Sequence, residues 1–141
     1  MFKESMYPFH IEICNKTDLY QLNDGRYQLI RDTEIDSIMI GHKYTLVRDD
    51  VVEKIIDTGV ERVSFEPAII WNRKINKVYS NYQKMTSHRH IESSNLNSID
   101  IEGKQFLVLD NHHLFATPEL KLALESLDLG LKFRERFGNF G

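Results

Sequence analysis

Only two stretches of this chain carry apolar residues at helical spacing, and both are short. Val51, Val52, Ile55 and Ile56 form one stripe, and Leu120, Ala123, Leu124 and Leu127 form the other. Around them lie brief runs of apolar and aromatic residues broken by turn residues, which is how strands read. The expected fold class is therefore α+β: a mixed, mainly antiparallel sheet with two short helices.

Both helices are punctuated. Asp50 is placed to cap the first, with Glu53 reaching back three residues later, and Gly59 is placed to stop it. Thr117 is placed to cap the second, with Pro118 at the first helical position and Glu119 in the first turn. Asn23-Asp24-Gly25 between Leu19–Leu22 and Arg26–Ile30 predicts a hairpin, because Asp-Gly supplies the positive φ of a tight turn. Strands are expected at Tyr44–Val47, Arg62–Phe65, Ala68–Trp71, Lys77–Tyr82, His113–Ala116 and Leu131–Phe133. A second hairpin is expected over Ile99–Leu109, turning at Glu102-Gly103-Lys104, and Lys84–Ser98 reads as a long polar loop.

A shift of 68 residues lays the two helical units on one another without a gap, placing Leu46 on Leu114, Val52 on Leu120, Ile56 on Leu124 and Phe65 on Phe133. Two pseudo-repeated strand–helix–strand units are one reading. The other is that any such unit must follow this pattern to build a core.

The 141 residues suit one domain over 1–141, and no apolar run nears the roughly 18 residues of a membrane span. The N-terminal Met1–Ser5 lacks a leader layout, and the single cysteine, Cys14, suits a reducing compartment. The expected location is cytoplasmic. Net charge is −3 and unevenly spread: residues 1–70 carry 13 acids against 8 bases, and residues 71–141 carry 8 against 10. An acidic half of this kind can steer a basic partner, or simply be a solvated surface.

No nucleotide-binding, zinc-protease, redox-dithiol or serine-hydrolase motif is present. No catalytic residue, metal ligand or cofactor is assigned. Three weaker constellations remain. His88 and His90, with His112-His113 downstream, could serve a metal-dependent enzyme built on the 84–113 region, or be polar loop histidines. His10 and Cys14 could pair as a thiolate site, although a free cysteine is commonly a small buried residue. Lys74, Lys77, Lys84 and Arg89, interleaved with Tyr79 and Tyr82, give a thin case for nucleic-acid binding. The two tyrosines are three apart, so a regular strand would point them to opposite sides. Trp71 reads as core or rim packing.

The ordered motifs over about residues 44–133 resemble an immunity-protein family of bacterial polymorphic-toxin and type VI or contact-dependent secretion systems. They are the strand and helix from Val47 to Ile56, the step Phe65-Glu66-Pro67-Ala68-Ile69-Ile70, the strand Val78–Tyr82, and the close from Leu114 through Leu124 to Gly130-Leu131-Lys132-Phe133. The second helix departs from the family in opening with Thr-Pro instead of Ser-Glu, and the first 43 residues carry none of its motifs. The resemblance implies a cytosolic, non-enzymatic inhibitor that binds a cognate toxin and blocks its active site. For the binding surface, the residues singled out are Asp32, Glu34 and Asp36, which alternate, and Asp49, Glu53 and Asp57 on the first helix.

Overall fold

The computed structural model describes residues 8–13, 19–29, 35–41, 43–92, 100–109 and 113–134. These form eleven strands and two helices: β1 (Phe9–Ile13), β2 (Leu19–Gln21), β3 (Tyr27–Leu29), β4 (Ile38–Gly41), β5 (Tyr44–Arg48), α1 (Asp49–Asp57), β6 (Val63–Asn72), β7 (Lys77–Ser87), β8 (His90–Ile91), β9 (Phe106–Leu109), β10 (His113–Ala116), α2 (Pro118–Glu125) and β11 (Leu131–Arg134). The fold is α+β. One sheet runs β11-β1-β10-β9-β8 and the other β2-β3-β6-β7-β5-β4. Pairing is antiparallel except between β3 and β6 and between β8 and β9, so the sheets are mixed and mainly antiparallel.

The main core lies where both helices and both sheets meet. It joins Val47, Val51, Val52 and Ile55 to Met85, Phe106, Leu114, Leu120 and Leu124. A second cluster holds Tyr27, Leu29, Met39, Leu46, Ala68, Ile70 and Tyr82. Within it the rings of Tyr27 on β3 and Tyr44 on β5 come to 5.6 Å, although β6 and β7 lie between their strands. The six-stranded sheet must therefore curl back on itself.

A bulge contributes to that curl. Ala68 pairs with Tyr82 and Ile70 with Tyr79, so three residues of β7 span two of β6. An extra residue bends a strand and increases its twist. It also shifts the alternation, and both Tyr79 and Tyr82 turn to the same cluster. The expectation that they face opposite sides is corrected on this ground.

Other expectations also change. Arg62–Phe65 and Ala68–Trp71 are not two strands but parts of one, β6, which runs through Pro67. β3 pairs with β6 at Ile70 and Trp71, so the proline sits where β6 has no described strand on that side, a position that tolerates a missing N–H. Lys84–Ser87 belongs to β7 instead of a loop, with Met85 and Ser87 buried. The segment before β9 is no hairpin strand: Gly103 turns there with φ of 75°, and β9 pairs with β10 and β8. The hairpin expected from Leu19 to Ile30 forms over its described residues, with Leu19–Gln21 paired to Tyr27–Leu29 and Gly25 at φ 90°.

Each helix crosses between two strands that flank a third: β5 and β6 lie either side of β7, and β10 and β11 either side of β1. This shared connection does not establish a repeat. The units otherwise differ, since β6 has ten residues and β11 four.

Two stability expectations arise from the sheets. The chain reverses between paired Gly41 and Tyr44, and the Tyr44 ring lies directly over the Gly41 Cα. A Cβ there overlaps the ring, so Gly41→Ala is expected to cost about 1–3 kcal/mol as Tyr44 is pushed away, read as a lower urea midpoint. On β1, His10 packs against the rings of His113 and Phe115, at 5.5 and 5.1 Å, beside Glu12, which accepts a hydrogen bond from Arg134 at 2.7 Å. Burial lowers the His10 pKa below its ordinary 6.5, and nearby His113 and Arg134 push the same way against Glu12. The folded state thus disfavours charged His10. Stability is expected to be full above about pH 6.5 and to fall as pH drops through the folded value. Melting of His10→Phe from pH 7.5 to 5.5 should show a shallower fall than the native chain.

Candidate functional site

α1 begins directly after β5. Arg48, still extended, is the residue before the first turn, and no side chain caps the helix. The expected cap by Asp50 is corrected. The helix starts two residues earlier than that role requires, leaving Asp49 and Asp50 both inside the first turn, where the helix dipole favours carboxylates. Asp50 instead accepts two hydrogen bonds from the Arg48 guanidinium, at 2.6 and 2.9 Å. That pairing holds the Asp50 carboxyl below its ordinary range. The far end stops as expected: Thr58 closes the last turn and Gly59 follows at φ 85°. The Lys104 ammonium donates to the Thr58 carbonyl at 2.7 Å, a cation at the negative end of the helix.

Burial of Val51, Val52 and Ile55 fixes which face of α1 is left outside. Asp49, Glu53 and Asp57 are exposed there, and their four-residue spacing puts them in one line along the helix. Asp49 accepts a hydrogen bond from Gln83 at 3.1 Å, which seats the head of the line on β7. Ile56, expected in the buried stripe, is 53% exposed. Four apolar residues at this spacing span more of the helix surface than the sheets cover, and Ile56 falls outside, beside Glu53 and Asp57. Val51 lies at the opposite margin of the same stripe and is buried, so spacing does not tell which edge is covered.

Asp36 joins this surface through Tyr82. Its backbone carbonyl accepts the buried Tyr82 hydroxyl at 2.7 Å, and the carbonyl of neighbouring Ser37 accepts the Arg48 N–H at 2.8 Å. Asp36 is thereby held beside the start of α1, close to Asp49 and Asp50. Asp32 and Glu34 lie outside the described residues, as do Cys14 and His112.

The other constellations do not assemble. His88 sits in the bend between β7 and β8, with its Nε2 2.9 Å from the Ser64 hydroxyl, whereas His90 opens β8. They do not share a strand face. Among the described residues no group of three His, Cys, Asp or Glu side chains is placed to hold a metal. Tyr82 is buried, and Arg89 braces the 100–105 segment, donating to the Gln105 side chain at 2.7 Å and the Asp100 carbonyl at 3.2 Å. Lys77 covers the Tyr79 ring at 4.8 Å. These residues form no common open surface. Trp71 is half-buried on the sheet's outer side under the Arg26 guanidinium, 5.1 Å from its ring centre, so rim packing is the reading that fits. No helix among the described residues is long and apolar enough to cross a membrane.

What the sequence reading did not find is a cleft at the end of β5. It brings Lys43, Lys84 and His90 to an apolar floor. No known protein family, curated protein or solved structure matches this chain.

Proposed function

We propose that this protein is a cytoplasmic inhibitor that binds a basic protein partner through the outer face of α1, as an immunity protein binds its cognate toxin. One observation carries the reading: Asp49, Glu53 and Asp57 stand in a line on an exposed helix face with Ile56 uncovered beside them. Exposed carboxylates of one sign speed encounter with a basic surface. An apolar side chain among them can seat in a pocket of the partner and lengthen the complex's life. Asp36 and the Arg48–Asp50 pair extend the surface beyond the helix. A toxin active site that handles a polyanion is basic, so this face is complementary to it. Occlusion needs no catalytic group, metal or cofactor on the inhibitor.

The test is capture with the tagged chain from a lysate of cells that encode it, washed at low and then high salt, with mass spectrometry of what remains. A single stoichiometric protein with a basic, toxin-like C-terminal domain is the expected result. Recovery of metal or nucleic acid with no protein partner overturns the reading.

A further inference from the structure

The β5–β7 ladder ends at the pair Leu46↔Lys84, yet both strands continue beyond it. Tyr44 and Thr45 stay paired to β4, and Met85 to Ser87 stay paired to β6. The β4–β5 tip therefore splays away from the last three residues of β7. The gap is floored by the other sheet, where His90, Val108 and Leu114 form one row across β8, β9 and β10. The result is a half-open cleft of about 340 Å³. That lies within the range of roughly 300–1,000 Å³ typical of small-ligand sites.

Its lining divides by chemistry. Ile40, Met85, Val108 and Leu114 make an apolar interior. Lys43 and Lys84 stand at its rim beside His90, and no carboxylate is among the described lining residues. Lys84 lies opposite Glu66 across β6 and β7, but neither Lys84 nor Lys43 forms an ion pair with a described carboxylate. Two ammonium groups without a described ion-pair partner, beside an apolar hollow, are complementary to a ligand with an anionic head and an apolar body. None of the acidic residues of α1 lines the cleft, so it is a separate site from the proposed partner surface.

We propose that this cleft binds a small amphipathic anion, with the apolar body against Ile40, Met85, Val108 and Leu114 and a carboxylate or phosphate head between Lys43 and Lys84. The two head groups share one chemistry here. Lysine meets either as a point charge.

The experiment titrates the full chain with octanoate, octyl phosphate and uncharged 1-octanol, followed by calorimetry and by NMR shifts of the cleft methyl groups. At least one anion is expected to bind one per chain, with shifts at Ile40, Met85, Val108 and Leu114, and to bind about tenfold more tightly than octanol. Which anion binds better tells a carboxylate site from a phosphate site. The Lys43→Gln and Lys84→Gln double variant should bring anion affinity down to that of octanol and leave octanol unchanged. Lys132→Gln, on β11 and outside the cleft, should change neither. Both cleft lysines are solvent-accessible, so the variants should fold, which circular dichroism checks. No anion binding, equal binding of octanol, shifts outside the cleft, or an unaffected double variant each overturns the proposal.

Discussion

The variant carrying Asp49→Lys, Glu53→Lys and Asp57→Lys is expected to lose the captured partner, with affinity down about 100- to 1,000-fold. Each reversal swaps an attraction for a repulsion across the interface, and juxtaposed like charges cost several kcal/mol in all, where roughly 1.4 kcal/mol is tenfold. The loss should fall mainly on the association rate, and the remaining affinity should vary less with salt. Ile56→Ala should act differently, speeding dissociation while leaving association nearly unchanged. The fold should tolerate the triple variant, because all three side chains are exposed and none belongs to a core cluster. A modest stability loss is expected from Asp49, which sits in the first turn of α1 and accepts from Gln83. Surface plasmon resonance at two salt concentrations, beside a melting curve, separates these outcomes. Unchanged affinity in the triple variant removes α1 from the interface.

Thr117→Val is expected to destabilise the chain by about 2–4 kcal/mol, because one buried and one half-buried backbone group lose their partner. Thr117 is fully buried. Its hydroxyl donates to the Gly103 carbonyl at 2.6 Å and accepts the Gln105 N–H at 3.0 Å. The backbone adds a third tie, from the Thr117 N–H to the Gln105 carbonyl at 3.0 Å. One side chain thus fastens the turn before β9 to the start of α2. Valine keeps the shape and removes the hydroxyl, so the buried Gln105 N–H and the half-buried Gly103 carbonyl are left without it. Such a loss is a large fraction of the roughly 5–15 kcal/mol that holds a typical domain together. Thr117→Ser keeps the hydroxyl and should cost about 1 kcal/mol, the price of a buried methyl. Urea denaturation of both variants is the measurement, and a Thr117→Val loss no larger than that of Thr117→Ser would show that the hydroxyl bonds contribute little.

The same residue marks how far local pattern reaches. Thr117-Pro118-Glu119 announces a helix start, and α2 does begin there, with Pro118 in its first turn. The hydroxyl, however, makes no cap. It turns to a segment 12 to 14 residues upstream, the turn that leads into β9, which the β9–β10 pairing brings alongside. Strand β1 shows the opposite case. Phe9-His10-Ile11-Glu12-Ile13 alternates cleanly. Pro8 and Asn15 bound it, a legible signal that the sequence reading passed over, and it stands between β10 and β11.

From its sequence alone this chain determined its class, its two helices, the stop of the first at Gly59, the Asn23-Asp24-Gly25 hairpin, and the acidic residues that end on the outside of α1. These depend on spacing of three or four residues or on the φ of one residue, and such forces act within a turn of chain. Only the tertiary structure decided the bulge that turns Tyr79 and Tyr82 to one side, the exposure of Ile56, the tie at Thr117 and the cleft beyond Leu46↔Lys84. Each depends on which distant strand arrives alongside and where its pairing ends. Pairing between segments tens of residues apart is set by the packing of the whole core, and no local pattern encodes it.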